Sequence, residues 1–161
     1  MSMRNVLAIL EDRDDRLWST FDAAVALADR EHARLTLAKT RESGRVYILF
    51  SPYAVHDLYL PPDTDPAVAA GRLLARAAEF VPEDIPVTTL VLGCDTRRQL
   101  SGLVRSGAFD AVVGVDSLFR HARRLGRELR RQSVAVVPVH PEPGHDPRQR
   151  IQTPAIEAPL S

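Results

Sequence analysis

The chain has 161 residues, the size of one ordinary domain, and 45% of them are hydrophobic. Its 21 lysine and arginine residues balance 21 aspartate and glutamate residues, so no overall field steers it toward nucleic acid or an anionic membrane. The one cysteine excludes an intramolecular disulfide and a metal site of clustered cysteines.

The first elements along the chain form a β-α-β pattern. Val6 to Leu10 is a short apolar run, typical of a strand buried on both faces. From about Asp15 to Glu31 apolar residues recur at helical spacing, and Arg34 to Thr40 has the pattern of a second strand. We therefore predict parallel strands joined by a helix. The first apolar run is too short for a signal peptide or a membrane span, so we expect a cytoplasmic protein without membrane contact.

The rest of the chain continues this alternation. Arg45 to Leu60 combines a strand-like run with prolines, which predicts an extra edge strand or an apolar flap. Further patterns predict helices over Pro66–Phe80, Thr96–Ser106 and Leu118–Gln132, and strands over Val87–Leu92, Ala111–Val115 and Val134–Val139. This alternation of strands and helices predicts an α/β fold with a doubly wound, five-stranded parallel sheet. Residues 1–140 form the predicted domain, and the proline-rich residues 141–161 a flexible C-terminal tail.

Polar residues follow the predicted strands at the edge where such sheets bind ligands. Glu11 and Asp12 come after the first strand, and Asp116 and Ser117 after the fourth. Together with Asp95, these carboxylates could bind Mg²⁺, which prefers oxygen ligands. The alternative is that the acids cap the helices that follow them. The five histidines show no metal-ligand spacing, and no nucleophile motif is present, so we expect neither a metal site nor an enzyme.

One resemblance is to the receiver domains of response regulators. Ile9-Leu10-Glu11-Asp12 is similar to their acidic corner, and Asp95 could stand for their phosphoacceptor. Receivers also place a lysine after the last strand, whereas the only lysine here is Lys39. A receiver-like signalling domain is therefore a distant alternative.

A broader resemblance is to the universal stress proteins, and it covers roughly Arg4 to Val139. Leu92-Gly93-Cys94-Asp95-Thr96 is similar to the family's Gly-Asp-Pro corner, and the opening strand, residues 109–114 and the closing residues 133–139 follow the family's order and spacing. The resemblance implies an adenine nucleotide α-hydrolase-like fold and a non-enzymatic module of the stress response.

The nucleotide-binding motif of that family is degenerate in this chain. Nucleotide-binding members carry Gly-x2-Gly-x9-Gly-Ser/Thr, in which glycines let backbone N–H groups approach phosphates. Gly114 fits the first position, but Ser117 and Arg127 occupy the next two, and Gly126 comes one residue early. We therefore predict that the chain has no cofactor and does not bind ATP.

The alternative is an adenine-nucleotide binder for ATP or AMP. In that case the resemblance implies that Gly114, Asp116 and Ser117 lie near phosphate or ribose, with Glu11 or Asp12 near the nucleoside. The complete set of candidate cofactor-binding residues is Glu11, Asp12, Thr40, Gly114, Asp116 and Ser117.

The closing strand is apolar throughout and, in the strand order that the family implies, lies at the sheet edge. Unpaired backbone groups at such an edge invite pairing with another chain, and relatives pair this strand antiparallel with its copy. We predict a homodimer whose interface includes Val134, Val136, Val137 and Val139.

The helix predicted over Leu118–Gln132 has one apolar and one basic face. Six arginines lie within about 120° opposite the apolar stripe: Arg120, Arg123, Arg124, Arg127, Arg130 and Arg131. This face predicts either binding to phosphates or an acidic partner, or a solvated surface. No aromatic residues are interleaved to stack on single-stranded bases, so we predict no specific nucleic-acid partner. A protein partner or a small-molecule ligand stays open.

Overall fold

The computed structural model describes residues 3–11, 14–40, 65–92, 96–106, 108–121 and 123–141. Its strands are β1 (Asn5–Leu10), β2 (Arg34–Thr40), β3 (Val87–Leu92), β4 (Ala111–Val115) and β5 (Ala135–Val139). Its helices are α1 (Asp14–Glu31), α2 (Pro66–Glu79), α3 (Thr96–Arg105), α4 (Asp116–His121) and α5 (Arg123–Arg131). The predicted flap over residues 45–60 and the predicted tail beyond residue 141 lie outside the described residues. No helix in the described ranges is long and apolar enough to span a membrane.

The five strands form one sheet in the order β3-β2-β1-β4-β5. Every neighbouring pair is parallel, which confirms the predicted doubly wound fold. The central strand β1 is apolar throughout because it is covered on both faces, and Val6 to Leu10 are at most 1% exposed. Among the described strands, this order places β3 and β5 at the two edges.

Helices cover both faces of the sheet and create two hydrophobic cores. Val6, Ala8 and Leu10 of β1 point toward α1 and α2, in a core that includes Trp18 and Phe21. The alternate residues Leu7 and Ile9 point to the other face, where α3 and α5 pack. The two-residue period of the strand therefore determines which helices each side chain contacts.

The predicted element boundaries hold within a residue or two. For the helix predicted over Leu118–Gln132, the structure describes two helical stretches, α4 and α5, on either side of residue 122, which lies outside the described residues. The helical conformation also begins at Asp116, directly after β4, because an acid in the first turn interacts favourably with the helix dipole. The apolar period, which starts at Leu118, had placed this start two residues late.

Asp110 ties together the amino ends of three strands. Its Oδ2 atom accepts hydrogen bonds from the backbone N–H groups of Arg4 (2.7 Å) and Asn5 (2.9 Å). Its own backbone N–H donates to the carbonyl of Asn5, and its carbonyl accepts from the N–H of Ala135. One residue thus connects the segments that lead into β1, β4 and β5.

The connection from α5 to β5 passes through Ser133, which has a φ of 59°. The following N–H, that of Val134, donates to the carbonyl of Leu129, as in the Schellman type of helix end. Because glycine adopts this left-handed conformation without steric cost, Ser133→Gly should raise the free energy of unfolding by about 0.5–1 kcal/mol in urea denaturation. The same change at Gln132, which has no positive φ, should lower it. A destabilised Ser133→Gly variant would contradict this account of the turn.

Candidate functional site

The candidate site lies at the carboxyl ends of β1 and β4, where the strand order reverses. Ala8 is paired with Val113, so the register brings Leu10 level with Val115 and places Glu11 near the start of α4. Glu11, Asp116 and Ser117 therefore follow adjacent strands, as the sequence predicts. Thr40 ends the neighbouring strand β2, but its side chain is not described, and Asp12 lies outside the described residues.

The carboxylate of Glu11 is already engaged. Its Oε2 atom accepts a hydrogen bond of 3.0 Å from Nη1 of Arg16, and both side chains are about one-third exposed, at 28% and 32%. This ion pair links the end of β1 to the first turn of α1. An incoming ribose hydroxyl would have to compete with the guanidinium for this carboxylate.

Asp116 is also occupied by internal contacts. Its Oδ2 atom lies 3.0 Å from Nε of Arg120, one helical turn later in α4, and 3.9 Å from Nδ1 of His140. Ser117 likewise interacts with another group of the protein. Within the described part of the chain, no three histidine, cysteine, aspartate or glutamate residues are grouped to hold a metal ion. Asp12 and Asp95, the other acids of the magnesium alternative, lie outside it.

The space beside Gly114 is filled by side chains of α4. A Cβ atom on Gly114 would lie 3.2 Å from Cδ2 of Leu118 and 3.3 Å from Cζ of Phe119. Gly114 therefore provides room for α4 to pack against β4. Gly126, the displaced third glycine, lies within α5 in open space, without a positive φ. Neither glycine belongs to an irregular loop that exposes consecutive N–H groups.

Sequence reasoning missed Lys39 as a member of this region. It is the only lysine, is 0% exposed, and is paired with Leu10 in the register of β1 and β2. A buried ammonium group is costly unless it is compensated, and Lys39 does interact with another group of the protein. The signal for it was a lone cation in the otherwise uncharged stretch from Leu35 to Thr40.

The candidate dimer strand β5 is at the edge of the sheet, paired only with β4 among the described strands. Its side chains also serve the cores of the same chain. Val134 and Val139 are buried, while Val136 and Val137 are partly buried and pack on opposite faces of the sheet. The outer edge of β5 therefore offers backbone groups more than free side chains.

The arginines of α5 are exposed on the side opposite Leu125 and Leu129, which are 3% and 0% exposed. Arg120 lies on α4, where its Nε atom is 3.0 Å from Oδ2 of Asp116. The other five arginines of the predicted face lie on α5: Arg123, Arg124, Arg127, Arg130 and Arg131.

Comparisons with known proteins agree with this topology. No protein-family model matches the sequence, and no curated protein does. A universal stress protein whose crystal structure is a complex with cAMP superposes with a TM-score of 0.54 at 17% identity, covering 88% of this chain and 100% of that one. A protein of the universal stress protein family from Burkholderia pseudomallei has a TM-score of 0.52 at 20% identity, covering 86% and 96%. The chain therefore has the fold of the universal stress proteins.

Proposed function

We propose that this chain is a non-enzymatic regulatory module of the stress-response type that acts as a homodimer in the cytoplasm and does not bind ATP. The observation that carries the proposal is the packing of Leu118 and Phe119 over Gly114. Phosphate binding at the carboxyl end of β4 needs backbone N–H groups that are open to the ligand. Here hydrophobic side chains occupy that approach, and no cofactor belongs to the proposal.

The ion pairs of the candidate site support the same conclusion. Glu11 is paired with Arg16 and Asp116 with Arg120, so both candidate carboxylates have internal partners. Breaking such a pair to admit a ligand costs part of the binding energy that the ligand supplies. The contacts of a bound nucleotide would have to outweigh this cost. The site lacks two of the three glycines that let backbone N–H groups approach the phosphates.

An adenine nucleotide is the second candidate, because one protein of similar fold was crystallised with cAMP. In that case Gly114, Asp116 and Ser117 would contact phosphate or ribose, and Glu11 the nucleoside. Binding would require α4 to move away from β4, because Leu118 and Phe119 pack over Gly114. This alternative predicts that ligand binding changes the environment of Phe119.

Calorimetric titration of the full chain with Mg-ATP, AMP and cAMP tests the two candidates. We expect no binding tighter than about 1 mM for any of the three. Micromolar binding that is lost in Asp116→Asn and retained in the exposed control Asp84→Asn would overturn the proposal and support the nucleotide site. The control residue, Asp84, lies in the turn before β3, outside the candidate site.

The proposed dimer forms through the outer edge of β5. The N–H of Ala135 donates toward the β4 side, to the carbonyl of Asp110, so the alternate residues Val136 and Pro138 direct their backbone groups outward. Pro138 lacks an N–H, and in this position its absence costs no bond to β4. An antiparallel pair centred on Val136 lets each Val136 exchange two hydrogen bonds with its copy.

A further inference from the structure

Helices α3 and α5 form one strongly basic surface on a chain whose net charge is zero. Helix α3 contains three arginines and no acid, and α5 contains five arginines and one glutamate, so together they carry an excess of seven positive charges. The remainder of the chain must carry an equal negative excess. The balanced composition therefore conceals a local excess of positive charge on these two helices.

The two helices are held side by side on the same face of the sheet. Leu100 of α3 and Leu125 and Leu129 of α5 belong to one hydrophobic core. An ion pair of 2.5 Å between Nε of Arg105 and Oε1 of Glu128 joins the two helices above it. The shared hydrophobic core and this ion pair therefore fix the positions of α3 and α5 relative to the sheet.

The described carboxylates Glu128 and Asp116 form their ion pairs with arginines outside α5, although the charge of Arg131 also helps to lower the pKa of Glu128. Hydrogen bonds from Ser101 and Arg105 lower the pKa of Glu128, the one acid on α5, which keeps it ionised and directed toward α3. Asp116 is paired with Arg120. Among the described residues, no carboxylate forms an ion pair with any of the five α5 arginines. Their spacing spreads them along about 12 Å of the helix and over an arc of about 120°.

The chemistry of this surface selects among the classes of anionic partner. Insertion into a membrane needs an apolar face, and the apolar face of α5 is already buried against the sheet. A protein interface needs apolar or aromatic anchors at its centre, and the exposed described side chains of α3 and α5 are arginines and Gln99. Single-stranded nucleic acid needs aromatic stacking platforms, which α3 and α5 do not contain.

We propose that the α3–α5 surface binds the phosphate backbone of double-stranded nucleic acid without reading its sequence. Guanidinium groups are sufficient for this kind of contact, since phosphate contacts supply most of non-specific affinity. A duplex presents about seven phosphates along 12 Å of its axis, which is more than the five arginines that α5 spreads over that length. Three to five contacts give a dissociation constant of about 1–100 µM at physiological salt and a log–log salt slope of about −3 to −4.5.

The test is fluorescence anisotropy of a labelled duplex of about 20 base pairs, titrated with the full chain at several salt concentrations. We expect affinity to fall by about 50- to 500-fold between 50 and 200 mM salt. The triple variant Arg123→Gln, Arg127→Gln, Arg130→Gln should weaken binding at least about tenfold and make the salt slope shallower by about 3. Its melting temperature should stay nearly unchanged, because exposed arginines contribute little to stability.

The matched control is the triple variant Arg4→Gln, Arg34→Gln, Arg72→Gln, which removes the same charge from exposed positions outside α3 and α5. It should bind the duplex like the unmodified chain. Equal losses in both triple variants would overturn the proposal in favour of a general charge effect. Binding to vesicles of phosphatidylserine but not to the duplex, or no binding at low salt, would overturn it as well.

Discussion

Val136→Pro is expected to weaken the homodimer by about 10- to 100-fold, because it removes two symmetry-related hydrogen bonds worth about 1–3 kcal/mol together. Val136 directs its N–H away from β4, so the substitution leaves the β4–β5 ladder intact. Sedimentation equilibrium over a range of concentrations measures the change. The side chain is partly buried, so the monomer should lose only a small part of its stability.

Two control variants separate the backbone effect from the side-chain effect. Val136→Thr retains both the N–H and the branched shape, and it should dimerise almost normally. Pro138→Ala adds an outward donor beside the proposed pair and should leave the dimer as tight or tighter. A chain that sediments as a monomer at about 100 µM would show that β5 is not a dimer edge at all. Charged substitutions at Val136 or Val137 are less informative, because both side chains also pack against the cores of their own chain.

Asp110→Ala is expected to lower the free energy of unfolding by about 2 kcal/mol and the melting temperature by about 4–8 °C. The loss follows from two backbone N–H groups, those of Arg4 and Asn5, that would no longer have their carboxylate acceptor. Asp110 is exposed, so water would replace part of the lost interaction. Urea denaturation followed by circular dichroism measures the difference.

Asp110→Asn is the matched variant for this prediction. Both N–H groups donate to one oxygen, Oδ2, so an amide oxygen in the same place could accept both bonds without the charge. Its destabilisation should therefore be smaller than that of alanine. Equal stability of the alanine variant and the unmodified chain would show that the amino ends of β1 and β4 are held by their ladder alone.

The elements of the sheet could be predicted because their signals are local. The apolar run before Glu11 specifies a strand covered on both faces, and Pro66 after Asp65 specifies a helix start, where Asp65 accepts a hydrogen bond of 2.7 Å from the N–H of Ala67. The edge position of β5 was also predicted, but through the resemblance to a family, since strand order depends on contacts between distant residues. That order is now seen in the pairing of β4 with β1 and β5.

The sequence by itself determined the α/β class, the elements and the absence of a complete Gly-x2-Gly-x9-Gly-Ser/Thr motif, because periodicity and motif spacing are properties of neighbouring residues. Only the tertiary structure decided what surrounds the remaining residues of the site. Helix α4 begins at Asp116 instead of Leu118, and these two additional helical residues correspond to a rotation of about 200° about the helix axis. The directions of the Leu118 and Phe119 side chains therefore depend on how α4 packs against β4. Likewise, the pairing of Glu128 with Arg105 joins residues far apart in the chain, and among the described residues no carboxylate forms an ion pair with an α5 arginine.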